Sequence, residues 1–176
     1  MTYKDEVIKA MELLARDKRV LFLGQSVAFP GSVVFGTLGT IDNSKKIELP
    51  IMEEAQAGMA IGLSLKGYVP VSIYPRMDFM WRAADQLVNH LDKIDEMSDG
   101  KFKPKVIIRT LVGSKTPFYP GLQHCSDYTD VFKLLFKNID VVKLEKKEDI
   151  VPAYENALKS SKSTILIEIS DLYNSE

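Results

Sequence analysis

The chain is organised around the stretch Leu49–Gly67, LPIMEEAQAGMAIGLSLKG, in which a short strand ends at the proline and a helix begins at the two acids. Glu53 and Glu54 open that helix, where negative charge suits the positive end of the helix dipole. Each interior glycine costs a helix roughly 1 kcal/mol relative to alanine. Gly58 and Gly62 therefore predict that a neighbouring element, of this chain or of another subunit, approaches the helix backbone. Two interpretations stay open: close packing within the chain, or a subunit contact with a carboxylate held beside it.

Strands and helices alternate on both sides of this stretch. Apolar runs ended by glycine, proline or polar residues predict strands at Val20–Leu23, Lys46–Leu49, Tyr68–Tyr74, Val106–Leu111, Val141–Leu144 and Ile165–Ile169. Apolar residues at helical spacing predict further helices at Asp5–Lys18, Met77–Met97, Val131–Lys137 and Glu148–Ser160. No Asn-Gly hairpin signal separates the strands. The pattern predicts an α/β fold with a mainly parallel open sheet and helices on both faces, in a single domain over residues 1–176.

Composition excludes several classes of protein. A net charge of −1 gives no electrostatic case for binding nucleic acid or an anionic membrane. The single cysteine, Cys125, excludes an internal disulfide and fits a reducing compartment. The first residues, MTYKDEVIKAMELLARDK, carry charge throughout and form neither a signal peptide nor a membrane span. We therefore expect a cytoplasmic protein.

Ligands of open parallel sheets bind outside the carboxyl ends of the strands. Three irregular connections leave those ends, at Gln25–Ser44, Pro75–Asp78 and Val112–Thr129, and Glu53 follows a strand directly. The glycines of the first connection match neither a dinucleotide fingerprint nor a P-loop. We expect these four features to converge at one edge of the sheet.

Four residues near that edge are candidates for chemistry. Glu53 is either a simple complement to the helix dipole or a partly desolvated carboxyl group that exchanges a proton. His124 is either an ordinary polar loop residue or a catalytic group at the same edge. Phe79 either packs in the core or offers a flat face to a heteroaromatic ring. Cys125 lacks a second histidine or an orienting acid, which disfavours a thiol nucleophile. No metal-ligand spacing is present.

An ordered set of segments carries a family resemblance: RVLFLGQSVA, then LPIMEEAQAGMAIG followed by GYVPV, then DFMWRAADQLVNH, then VIIRT, and finally LQHCSD before IDVVKL. In this order they resemble the pyrimidine-binding domain of thiamine-diphosphate enzymes. The chain is most similar to the first domain of the β chain of the decarboxylase component of 2-oxo acid dehydrogenases, and more distantly to transketolase. The set covers nearly the whole chain.

The resemblance implies a role for each matched residue. Glu53 matches the glutamate that bonds N1′ of the aminopyrimidine of thiamine diphosphate and so activates the cofactor. Phe79 matches the aromatic residue that stacks on the pyrimidine, and Ile51 falls where the family lines the pyrimidine pocket. His124 matches a histidine of the active-site loop that handles substrate or protons. The helix with the small residues lies in the family's subunit contact.

Two departures from the family qualify this assignment. Gln25 stands at a cofactor-binding position where the β chains usually have glutamate, so a carboxylate near the cofactor is lost. The sequence contains neither the second domain of the β chains nor the Gly-Asp-Gly … Asn-Asn signature that holds Mg²⁺ and the diphosphate. The resemblance therefore implies a diphosphate-binding, α-type partner subunit that carries the Mg²⁺, in an α₂β₂ assembly.

The sequence thus predicts the β-type, pyrimidine-binding subunit of a split thiamine-diphosphate enzyme. We expect it to cleave a 2-oxo acid or a ketose and to transfer or release the active aldehyde. Two alternatives stay open: a truncated β subunit of a 2-oxo acid dehydrogenase, and a non-catalytic scaffold or regulatory relative.

Overall fold

A computed structural model describes residues 1–116 and 119–173. Its centre is one sheet of six strands in which every neighbouring pair is parallel. The strands are β1 (Val20–Gly24), β2 (Lys46–Glu48), β3 (Val69–Tyr74), β4 (Ile107–Val112), β5 (Asp140–Lys143) and β6 (Thr164–Ile169). Their order across the sheet is β2-β1-β3-β4-β6-β5. The predicted open parallel sheet is confirmed, with strand ends that differ by a residue or two.

The α-helices are α1 (Tyr3–Ala15), α2 (Glu53–Leu65), α3 (Ile94–Met97), α4 (Thr129–Leu135) and α5 (Ile150–Lys159). Helices α1 and α5 pack against each other and cover one face of the sheet. Helix α2, the 77–97 segment and α4 cover the other face, so the predicted two-sided arrangement is also confirmed. Across the ranges 1–116 and 119–173, no helix has both the length and the apolar character needed to span a bilayer.

The segment Met77–Met97, predicted as one long helix, is instead three helical pieces of different pitch. Met77–Ala83 forms 3₁₀ turns, Gln86–Leu91 forms a π-helix, and Ile94–Met97 is the short α3. Buried residues are spaced by three in the tight first piece and by four in the wide second piece: Met77, Met80 and Ala83, then Leu87 and Leu91. The pitch follows the spacing of the side chains that reach the sheet.

Asp92 accounts for the wide turn in this segment. Its backbone N–H donates to the carbonyl of Leu87, five residues back, at 3.0 Å. Its buried carboxylate accepts the backbone N–H groups of Lys137 and Asn138 at 3.1 and 2.7 Å. The wide turn thus ends at a residue that contacts a segment 45 residues away.

A charged pair lies inside the core on the α1–α5 side. Arg109 of β4 donates Nε and Nη2 to the two carboxylate oxygens of Glu168 of β6, at 2.8 and 2.9 Å. Both side chains are fully buried. Thr37 accepts a further bond from Arg109, and the hydroxyls of Tyr154 and Tyr173 donate to Glu168. Burial, with the Glu168 charge, raises the pKa of both tyrosines well above the usual value.

A Cβ added at either glycine of α2 would have few neighbours within the described part of the chain. A Cβ at Gly58 would lie 3.7 Å from Gln86 Oε1, an ordinary contact, and a Cβ at Gly62 would meet no atom within 4 Å. Close packing within the chain therefore does not explain Gly62. The subunit contact remains the prediction for this face of α2.

Candidate active site

Glu53 is the first residue of α2, and its side chain is buried at 9% exposure. Its Oε2 atom is buried without a hydrogen-bond partner. Arg82 Nε lies 3.4 Å from this oxygen, as an ion pair that does not meet hydrogen-bond geometry. Arg82 is 76% exposed, so the pair is weak. A buried carboxylate oxygen without a hydrogen-bond partner lowers the stability of the fold, so this atom is a candidate for binding a ligand.

Two contacts fix the start of α2 against β3. Gln56, one turn into the helix, donates its side-chain N–H₂ to Ser72 Oγ and to the carbonyl of Ile73, both at 3.0 Å. The hydroxyl of Tyr74 donates to the backbone carbonyl of Glu53 at 3.4 Å. Because β3 is buried along its whole length, these bonds give the Glu53 carboxyl group a rigid support.

An open cavity of about 600 Å³ adjoins Glu53. Its walls are Ile51, Met52, Glu53, Glu54, Ala55, Gly58, Arg82 and Gln86. Ile51 and Met52 are 68% and 51% exposed, which is unusual for large apolar side chains beside a buried acid. A small recess behind this cavity brings Ile51 and Glu53 together with Gln25.

Phe79 and His124 lie next to each other, as expected for residues at one edge. Their rings meet edge to face, with centroids 5.6 Å apart and planes at 88°. His124 Nδ1 is buried and has no hydrogen-bond partner. Arg76 Nη1 donates to the carbonyls of Gly113 and His124 at 2.6 and 2.7 Å. These bonds tie the loop that follows β4 and carries His124, here called the histidine loop, to the end of β3.

Gln25 connects the predicted site residues. It lines the recess with Ile51 and Glu53, and it also lines a second cavity of about 390 Å³ with Phe79. Glu53 and Phe79 therefore line different cavities that share one wall. The arrangement offers a buried carboxyl group, an aromatic face and a histidine nitrogen.

Glu48, at the end of β2, shapes the loop that carries Gln25. Its carboxylate accepts the backbone N–H groups of Ser26, Val27 and Ala28, at 2.6, 2.8 and 2.7 Å. Glu48 was not predicted as a site residue. A single acid at the end of a short strand was the signal, but the loop that folds back onto it was not visible in the pattern.

Cys125 is buried, and its thiol donates to the backbone carbonyl of Ser114 at 3.2 Å. This contact gives the cysteine a structural partner at the base of the histidine loop. That Cys125 is not a nucleophile stays a prediction.

Comparisons with known proteins agree on one family. Residues 5–175 match the model described as the pyrimidine binding domain of transketolase. A 3-methyl-2-oxobutanoate dehydrogenase subunit beta of Mycobacterium tuberculosis is 32% identical over 137 residues, covering 74% of this chain and 38% of the relative. The mitochondrial pyruvate dehydrogenase E1 component subunit beta of Saccharomyces cerevisiae is 28% identical, covering 98% of this chain and 48% of the relative.

Among solved structures, a split gene transketolase, described as an inactive beta4 tetramer, has a TM-score of 0.70 at 17% identity. The match covers 96% of this chain and 50% of that chain. It supports the fold. This chain thus spans about half or less of the length of the relatives named above.

Proposed function

The chain belongs to the family of transketolase pyrimidine-binding domains, and from this premise we propose that it is the pyrimidine-binding subunit of a split thiamine-diphosphate enzyme. Its substrate is a 2-oxo acid or a ketose, and the active aldehyde is transferred or released. The free, buried Oε2 of Glu53 carries this proposal.

Glu53 fits the aminopyrimidine of thiamine diphosphate. A carboxyl group in the first turn of a rigidly held helix, with one oxygen lacking a partner, can share a proton with a ring nitrogen. Ile51 and Met52 offer apolar contact beside it, as a heteroaromatic ring requires. The exposed Arg82 makes no hydrogen bond to Glu53 and is readily displaced. When bound, the cofactor supplies a carbon nucleophile that adds to the substrate carbonyl and stabilises the resulting carbanion.

Phe79 and His124 would serve the other side of the site. Phe79 offers a ring face for stacking, and its perpendicular contact with His124 keeps that face free of the histidine. The buried Nδ1 of His124 can donate or accept a proton toward substrate. Arg76 holds the histidine loop through a backbone carbonyl, which leaves the imidazole itself available.

We assign the Mg²⁺ and the cofactor diphosphate to an α-type partner subunit, in an α₂β₂ assembly. The exposed α2 face with its unexplained Gly62 supports a subunit contact along the helix that begins at Glu53. Close approach of a second backbone there would enclose the open cavity and remove water from the carboxyl group.

Isothermal titration of thiamine diphosphate with Mg²⁺ tests the split site. It is run on this chain alone, on a candidate partner carrying the Gly-Asp-Gly … Asn-Asn signature, and on the mixture. We expect binding only in the mixture. No binding in any sample would favour a non-catalytic relative, and tight binding to this chain alone would contradict the partner's assigned role.

Glu53→Gln tests the assigned chemistry in the reconstituted complex. An amide cannot exchange the proton, so turnover should fall by about 10²-fold or more. The control is Glu12→Gln, which removes the same charge from α1 on the opposite face of the sheet. Near-normal turnover of Glu53→Gln would refute the role of Glu53.

A second candidate, a β subunit of a 2-oxo acid dehydrogenase, is favoured by the names of the Mycobacterium tuberculosis and Saccharomyces cerevisiae relatives. The two candidates differ in their acceptor. Transfer of the aldehyde to a lipoyl-bearing acyltransferase would favour the dehydrogenase, and transfer to a free acceptor or release would favour the split lyase or transferase.

A further inference from the structure

The second cavity lies outside the carboxyl ends of four neighbouring strands. Gln25 and Ser26 follow β1, Arg76 follows β3, Ser114 follows β4, and Ser170 follows β6. Its volume of about 390 Å³ lies within the range of small-molecule sites. We call it the anion cavity.

The walls of the anion cavity are cationic and rich in hydroxyl groups. Lys4 and Arg76 contribute positive charge, and Ser32 contributes a hydroxyl oxygen that is buried without a hydrogen-bond partner. None of the described wall residues is an aspartate or a glutamate. An unpaired buried hydroxyl beside two cations indicates a ligand with acceptor oxygens.

The charge of Arg76 is not neutralised within residues 1–116 and 119–173. Its bonds there run from Nη1 to the carbonyls of Gly113 and His124, which leaves Nε and Nη2 free to donate. Lys4 forms no ion pair in the described chain, and its amine lies near Gly36 in the connection between β1 and β2. The guanidinium is thus fixed at one nitrogen and open at the others, a suitable geometry for a planar or tetrahedral oxyanion.

Carboxylates near the rim are already occupied by backbone amides. Glu48 accepts three N–H groups of the Gln25 loop. Asp78, two residues beyond Arg76, accepts the N–H of Ser126, and Asp171, beside Gly113, accepts those of Lys115 and Thr116. These hydrogen bonds hold the three carboxylates on backbone amides, and none of the three lines the anion cavity, whose charged wall residues are Lys4 and Arg76.

We propose that the anion cavity binds the carboxylate or phosphoryl group of the substrate through Arg76 and Lys4. The proposal rests on the proposed function for the identity of the ligand as substrate. The cavity shares Gln25 and Phe79 with the predicted cofactor site, so an anion held there would direct the remainder of the substrate toward that site. Arg76 and Lys4 would then select for acidic substrates and against neutral ones.

The test is an NMR titration of the ¹⁵N-labelled chain, without cofactor or partner, with inorganic phosphate and separately with pyruvate. We expect saturable shifts at the amides of Ser26, Ser32 and Ser114 for at least one anion. Lys4→Met and Arg76→Met should each weaken that binding about tenfold, the usual effect of losing one charge-assisted hydrogen bond. Saturation by phosphate alone indicates a phosphorylated substrate, and saturation by pyruvate alone indicates a 2-oxo acid.

Two variants control for structure and for nonspecific charge. Arg76→Lys keeps the cation, so it should bind the anion more tightly than Arg76→Met, and Lys4→Met leaves the Arg76 bonds to the histidine loop intact. Arg16→Met removes an exposed arginine at the other end of α1 and should bind like the wild type. The proposal is overturned if neither anion saturates at these amides, if both methionine variants bind normally, or if Arg16→Met weakens binding equally.

Failure of this proposal is distinguishable from failure of the proposed function. Anion binding to the isolated chain needs no thiamine diphosphate, whereas the calorimetric test needs no substrate. In the reconstituted complex, Lys4→Met should raise KM for an anionic donor about tenfold and leave KM for a neutral ketose unchanged. A rise in both KM values would contradict selection by charge.

Discussion

Replacing Arg109 by methionine should strongly destabilise the protein. The substitution removes the cation that faces Glu168 across two neighbouring strands, where both side chains are fully buried. Glu168 would keep only the hydroxyl bonds from Tyr154 and Tyr173. Thr37 would lose the donor to its hydroxyl oxygen. The variant therefore leaves a charged carboxylate uncompensated in the core.

The expected loss in free energy of unfolding is that measured for other buried ion pairs. Removing one partner of a buried ion pair typically costs about 3–5 kcal/mol. Single domains have a free energy of unfolding of about 5–15 kcal/mol, so this is a large fraction of the total. For a chain of 176 residues, the melting temperature should fall by about 6–20 °C.

Urea unfolding followed by circular dichroism measures this loss, with Arg19→Met as the matched control. Arg19 also pairs with a carboxylate, Asp17 at 2.8 Å, but on the surface, where ion pairs contribute little. A double variant, Arg109→Met with Glu168→Met, should recover part of the loss because no buried charge is left behind. If Arg109→Met unfolds at the same urea concentration as Arg19→Met, the reasoning about the buried pair is wrong.

Four further predictions concern stability. Gly24→Ala should lower the free energy of unfolding by about 2 kcal/mol or more, because Gly24 has φ +152° and a Cβ would lie 2.4 Å from the carbonyl oxygen of Ile73. Gly62→Ala, whose Cβ would meet no described atom within 4 Å, should raise the free energy of unfolding of the isolated chain by about 1 kcal/mol, as measured by thermal melting. Glu48→Gln should cost about 2 kcal/mol in urea, because an amide oxygen cannot replace a carboxylate that accepts three N–H groups, and an unchanged midpoint would contradict this. Burial raises the pKa of four of the seven tyrosines, Tyr3, Tyr74, Tyr154 and Tyr173, above the unfolded value of about 10. The stability that they contribute is therefore full below pH ~10 and is lost as pH rises further. Absorbance at 295 nm should show these four ionising only with unfolding, and early ionisation of all seven would refute the prediction.

Much of the candidate site was predictable because its residues follow strand ends directly. The carboxyl ends of parallel strands meet at one edge whatever their order, so Gln25, Glu53 and Phe79 had to lie at the same edge. The histidine loop follows the same rule, and the structure brings His124 to 5.6 Å from Phe79 between ring centroids. What each residue does there remains a prediction that the experiments above address.

Other parts of the site depended on folding and were not predicted. Glu48 binds amides about 20 residues before it, and Arg76 joins two carbonyls from a loop 37 and 48 residues further on. These contacts have no periodic signal, because each requires two segments to meet in three dimensions. The anion cavity, built from residues that follow four strands, could be seen only after those strands were ordered.

Local apolar periodicity and turn residues were enough to predict the strands, most of the helices and the open parallel sheet. The strand order, the three pitches of the 77–97 segment and the pairing of Arg109 with Glu168 depend on contacts between distant segments, so they became visible in the folded chain alone. Arg109 and Glu168 are 59 residues apart and lie in strands whose other residues are mostly apolar. A buried charge is stable only opposite its partner, and that pairing is a property of the folded sheet.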